Sequence, residues 1–163
     1  NILDNCEKVK TAAEYFKDRT NGFFIGRGLD YKVAVEASLK IKEVSYVHTE
    51  AFASGELKHG TIALIEEGTP VVVIATQKNL IDKSVSNIKE VKARGAYIIT
   101  VGFDDEESLK NVSDNFIGIS ECNDMFSGFL SIVPLQLLAY YTSDAKGIDV
   151  DKPRNLAKSV TVE

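Results

Sequence analysis

The chain has 163 residues, 44% of them apolar, and a formal net charge of −5 with a pI near 5.1. That length suits one domain with a real core, since domains run roughly 100 to 150 residues, and the acidic balance excludes general nucleic-acid binding, which needs a basic surface. No apolar run is long enough to span a bilayer and no basic segment precedes a small-residue cleavage site, so a membrane span and a secretory leader are excluded and a cytoplasmic protein is expected. The chain opens on Asn1 rather than methionine, which suggests a processed protein or a piece of a longer one.

Helical periodicity alternates with short β-branched runs, the pattern of an α/β protein with a parallel sheet. Residues 2–19 read as a first helix, with Ile2, Cys6, Val9, Ala13 and Phe16 near one face. "NGFFIGRG" is a short buried strand closing in glycines, and residues 31–47 are a second helix ending at His48. "HTEAFASGELKHG" reads as an irregular link with a helical turn at residues 55–58, and "PVVVIAT" as a strand covered on both faces. Residues 79–95 form a third helix capped by Gly95. "AYIITVG" and "NFIGIS" are further strands, joined by the acidic loop "FDDEESLKNVSD". A last helix over 125–147 contains Pro134, where a kink or a helix start is expected. Residues 148–163, with Pro153 and no sustained period, read as a tail.

Three places carry candidate chemistry. In "FFIGRG", Gly26 and Gly28 lie where a strand turns into a helix, a location that can hold an anion; a tight turn needing small residues explains them equally well. On the second helix, Lys40 falls about 40° and Glu43 about 20° from Glu36 around the axis, so the three share a charged strip between apolar flanks. Ser38, Lys42 and Ser45 form a second polar sector on the opposite side. One sector should face solvent and the other could face a cavity. The strip is either a surface ion pair or a carboxylate held beside an ammonium for proton transfer. His59 in "GELKHG" is either a surface histidine or a proton shuttle. His48 closes a helix, where a cation is favourable, and His48, His59, Glu50 and Glu56 match no familiar zinc spacing. Cys6 and Cys122 read as plain thiols.

"GRG" after a strand, then "EASLKIKEVSYVHTEAFASGELKHG", then "DVDKPRNLAKSVTVE" together resemble the C-terminal part of the glutamine:fructose-6-phosphate amidotransferase (glucosamine-6-phosphate synthase) family, over essentially the whole chain. The resemblance implies the second of two sugar isomerase (SIS) domains, a three-layer α/β/α sandwich around a parallel sheet with flavodoxin-like topology. It divides the chain into a SIS domain over 1–147 and a tail over 148–163 that carries the active-site lysine. It also implies ammonia transfer to fructose 6-phosphate, giving glucosamine 6-phosphate, without a cofactor. Lys158 then forms a Schiff base with the open-chain ketose and Glu43 moves a proton between C1 and C2 through an enolamine. Lys40 supports proton transfer, Glu36 and Arg154 support the site, and His59 opens the sugar ring from a neighbouring subunit, which implies a homodimer. The serine- and threonine-rich phosphate loops of the family's first SIS domain and its glutaminase domain have no counterpart here, so the 163-residue chain alone is expected to be inactive. A regulatory SIS module that binds phosphosugars without catalysis is the alternative, and it has no need of a Schiff-base lysine.

Overall fold

The computed structural model describes residues 6–154. Five parallel strands, β1 (Asn21–Gly26), β2 (His48–Ala53), β3 (Pro70–Ala75), β4 (Tyr97–Phe103) and β5 (Asn115–Ile119), form one sheet in the order β2-β1-β3-β4-β5. β3 is buried at every position, as its unbroken apolar run predicts. The helices are α1 (Glu7–Lys17), α2 (Leu29–Ser45), α3 (Ile81–Lys92), the single turn α4 (Glu107–Lys110) and α5 (Ser127–Ala145). The two cores lie on opposite faces of the sheet. Phe16, Ala34, Ala37, Ile41, Leu135 and Leu138 of α1, α2 and α5 cover one face, and Ile88, Val91 and Leu109 of α3 and α4 cover the other. The three-layer α/β/α sandwich expected from the sequence is therefore the fold.

Several elements differ from expectation. The segment read as an irregular link is the edge strand β2, paired with β1 from Asn21↔His48 to Gly26↔Ala53. It lacks a β-branched run, but its side chains still divide by parity: Thr49 and Ala51 meet the α2 side, whereas Phe52 packs against Phe23 on the other. The helical turn expected at 55–58 is a 3₁₀ turn at Leu57–His59. α2 stops at Ser45 because Tyr46 takes the left-handed conformation (φ 60°, ψ 18°), so His48 begins a strand and closes no helix. A left-handed cap is usually glycine, and a tyrosine there gave no signal. The acidic loop contains the α4 turn, and α5 continues through Pro134, which is its eighth residue and not its start. The first helix begins at Glu7, and Ile2 lies outside the described residues.

The β1–α2 turn is built without spare room. A Cβ on Gly26 would lie 2.5 Å from the backbone carbon of Asp30 and 2.6 Å from its oxygen. Asp30 itself, in the first turn of α2, is only 2% exposed. Its carboxylate accepts hydrogen bonds from the Thr76 N–H (2.8 Å), the Thr76 hydroxyl (2.5 Å) and the Gln77 N–H (3.3 Å) just past β3. The Ser127 hydroxyl, 2.8 Å from Thr76 Oγ1, joins the first turn of α5 to the same cluster, and the Gln77 amide donates to Ser127 Oγ (3.2 Å) and to the Asp124 carbonyl (3.3 Å).

Two measurements follow from this junction. Gly26→Ala forces α2 away from β1 and is expected to cost on the order of 3 kcal/mol of stability, read as a lowered urea midpoint; an unchanged midpoint would show that the turn has slack. Burial raises the pKa of Asp30 above its ordinary value, with the Thr76 and Gln77 hydrogen bonds pulling the other way. The folded chain therefore holds this proton more tightly than the unfolded one. The corresponding stability is present below about pH 4 and is lost as pH rises through the raised folded value. Asp30→Asn cannot titrate, so the stability difference between the variant and the parent should move in favour of the variant from about pH 4 upward; a shift in the opposite direction would contradict burial as the dominant cause.

Candidate active site

α2 is buried on two sides. Ala34, Ala37 and Ile41 are fully buried in the core shared with α5. Ser38 and Ser45, one of the two polar sectors, are also buried: Thr49 Oγ1 is 3.2 Å from Ser38 Oγ and donates to the Ser38 carbonyl at 2.8 Å, and Ser45 Oγ donates to the Ile41 carbonyl at 2.7 Å. Of that sector only Lys42 is exposed. The solvent-facing sector is thus the charged strip, and the buried one is satisfied by β2 and by the helix backbone.

Within the strip, Lys40 Nζ lies 2.6 Å from Glu43 Oε2 and 3.5 Å from Glu36 Oε1. The Lys40 and Glu43 side chains are only 32% and 24% exposed, whereas Glu36 is open to solvent. The hydrogen bond to Glu43, followed by the charges of Glu43 and Glu36, holds the Lys40 pKa above its ordinary value against desolvation. Lys40 is therefore an ammonium at neutral pH, able to donate a proton or fix a negative charge but not to act as a base. Of the two carboxylates, Glu43 is the less exposed and the closer to Lys40.

After α5, Gly147 (φ 69°) turns the chain back toward the end of α2. The Arg154 N–H donates to Tyr46 Oη at 2.7 Å, and its guanidinium sits 4.1 Å from the Tyr46 ring centroid. Tyr46 is three residues beyond Glu43, so the start of the tail arrives one helical turn from the strip. Lys158 lies outside the described residues. At the other end of α2, an apolar groove of about 350 Å³ runs between this helix and α5, with Leu29, Val33, Phe129 and Ile132 in its walls and Glu36 at its rim.

The structure does not bring His59 to Glu43 within one chain. His59 follows the carboxyl end of β2, is 72% exposed, and has Glu56 Oε2 3.5 Å from its Nδ1. Glu43 is near the opposite end of the layer, since α2 runs back from the carboxyl edge of β1 and the 14 residues from Leu29 to Glu43 span about 21 Å. The His59 turn is nevertheless anchored, by the fully buried Leu57 and by an ion pair of 2.7 Å between Lys58 and Glu90. Gly26 and Gly28 (φ 56°) form the turn into α2; the backbone of Asp30 and Tyr31 fills the space beside Gly26, Leu80 lies beside Gly28, and the Asp30 carboxylate points to Thr76 and Gln77. The Asp30–Thr76–Gln77–Ser127 cluster escaped sequence reasoning. An acidic residue in a first helical turn is too common to stand out, and its partners lie more than 40 residues away.

Among the described residues no helix is long and apolar enough to cross a membrane. The SIS domain profile matches residues 15–143. The chain is 55% identical over 162 residues to a glutamine–fructose-6-phosphate aminotransferase (isomerizing) of Clostridium acetobutylicum, covering 99% of this chain and 27% of that protein. It is 52% identical to the one from Methanosarcina acetivorans, covering 99% and 26%. It spans about a quarter of the length of these relatives. Among solved structures, the C-terminal domain of glucosamine-fructose-6-phosphate aminotransferase from Francisella tularensis superposes with a TM-score of 0.82 at 37% identity, over 91% of this chain and 42% of that one. A glucosamine-6-phosphate deaminase from Thermotoga maritima follows at 0.76 and 28%, over 95% and 45%. With its five-stranded parallel sheet, its order of strands and these matches over most of its length, the chain belongs to the SIS domain family.

Proposed function

We propose that this chain is the C-terminal isomerase unit of a glutamine:fructose-6-phosphate aminotransferase, and that the charged strip of α2 is its proton-transfer site. The observation that carries the reading is the Lys40–Glu43 contact of 2.6 Å on the open face of α2, with Arg154 returning one helical turn away. From Arg154, the four residues to Lys158 can reach at most about 14 Å, enough for its amine to approach a sugar above Glu43.

In this reading the Lys158 amine adds to the C2 carbonyl of open-chain fructose 6-phosphate and water leaves, forming a Schiff base. Ammonia displaces the lysine. Glu43 then removes a proton from C1, the electron pair passes into an enolamine, and the proton is returned at C2, which leaves an aldehyde at C1 and the amine at C2 of glucosamine 6-phosphate. Lys40, held as the ammonium, stabilises the negative charge that develops on the sugar oxygen, and Glu36 steadies Lys40 from the neighbouring turn. His59 acts on the ring from a second copy, since it lies at the far end of α2 from Glu43 in its own chain. The remaining parts of the longer enzyme supply ammonia and further contacts to the sugar phosphate, and the reaction belongs in the cytoplasm. A purely sensing module would need neither Lys158 nor a paired Glu43.

In the full-length enzyme carrying this segment, Glu43→Gln is expected to lower turnover by about 10² to 10⁴-fold while borohydride with fructose 6-phosphate still traps an adduct on Lys158 in mass mapping. No adduct on Lys158 in the parent enzyme would sink the Schiff-base role. Mixing inactive Glu43→Gln and His59→Ala enzymes under conditions of subunit exchange should restore roughly a quarter of the parental activity, because half the dimers are mixed and each has one intact site. A mixture that stays inactive would place His59 in its own chain's site, and an active His59→Ala enzyme would place it outside the reaction.

A further inference from the structure

In a sheet of this order the reversal of strand order falls between β1 and β3, and folds of this kind place ligands, commonly anions, in the crevice at the carboxyl ends of those two strands. Here that crevice is bridged from within. Asp30 follows β1, Thr76 and Gln77 follow β3, and two backbone N–H groups and one hydroxyl from the β3 side converge on a single carboxylate. Gly28, the cap of α2, has no side chain with which to satisfy the start of the helix, and the Asp30 carboxylate in the first turn lies where helix N-termini favour negative charge. Backbone N–H groups can only donate, and the contact of 2.5 Å to the Thr76 hydroxyl is in the range of charge-assisted hydrogen bonds. Among the described residues no lysine or arginine pairs with it. The donors are arranged as for a bound oxyanion, and the oxyanion is part of the chain.

We propose that Asp30 is a built-in anion that plugs the switch-point site of this fold, so that a phosphate or carboxylate ligand is excluded there. The plug rests on the Asp30 contacts and not on the roles given above to Glu43 and Lys158.

Asp30→Ala opens a space the size of the lost carboxyl group, and formate is the probe that fills it. The comparison uses the 163-residue chain at pH 8, with sodium formate set against sodium chloride at equal ionic strength. The unfolding temperature of Asp30→Ala should rise saturably with formate by about 3 °C more than that of the parent. Asp30→Asn, whose amide still fills the space, should respond like the parent. Equal formate responses in the parent and in Asp30→Ala would overturn the proposal. If Asp30→Ala does not fold in chloride, either folding in formate or the same saturable response in Asp30→Ser is expected, and variants that fold in neither salt count against the plug.

Discussion

Everything distinctive about this chain depends on how α2 is held against the sheet. Its inner side is made of small residues, Ala34 and Ala37, with Ile41, so the helix backbone packs closely on β1 and α5 without large side chains between them. Its β2-facing side spends two serine hydroxyls on local acceptors, which leaves no unmet polar group there. Glu36, Lys40 and Glu43 lie on the remaining open side, beside the exposed Val35 and Leu39. A helix buried on two sides and charged on the third presents its charges in one fixed orientation, because the packed sides set its rotation about its own axis.

The two ends of α2 do different work. At its start, the Gly26 close approach and the Asp30 hydrogen bonds fasten the helix to β3 and to the beginning of α5. At its end, Tyr46 turns the chain sharply and receives Arg154 from the opposite end of the sequence, while the Ser143 hydroxyl bonds to the Val44 carbonyl. The crevice between the carboxyl ends of β1 and β3, where this class of fold usually works, is thereby given over to internal contacts. Paired titratable groups appear instead on the outer helical face. Next to them, Met125 just before α5 and Phe129 in its first turn are 72% and 73% exposed, and the apolar groove opens beside Glu36. Such a surface is suited to burial against further protein.

Strands β1, β3, β4 and β5 and the long helices were legible because each carries a sustained pattern: continuous apolar runs for buried strands and a 3.6-residue repeat for the helices. β2 was not, because an edge strand covered by a helix on one side needs few β-branched residues, and "HTEAFA" has one threonine. The angular grouping of Glu36, Lys40 and Glu43 followed from helix geometry alone, as did the existence of a second polar sector. Which sector faced water did not, because serines are small enough to be buried when neighbouring oxygens accept their protons, and those oxygens belong in part to a strand the pattern concealed. The separation of His59 from Glu43 likewise required the direction of β2. The Asp30 cluster joins residues from three distant segments, and no local pattern foreshadows that.

The Arg154–Tyr46 contact sets a scale for how the chain's last described residues behave. An exposed cation–aromatic stack and one hydrogen bond together contribute on the order of 1 to 2 kcal/mol, which favours the docked arrangement by only about 5- to 30-fold. A joint of that strength is a latch and not a weld: the packing of α2, α5 and the sheet does not depend on it.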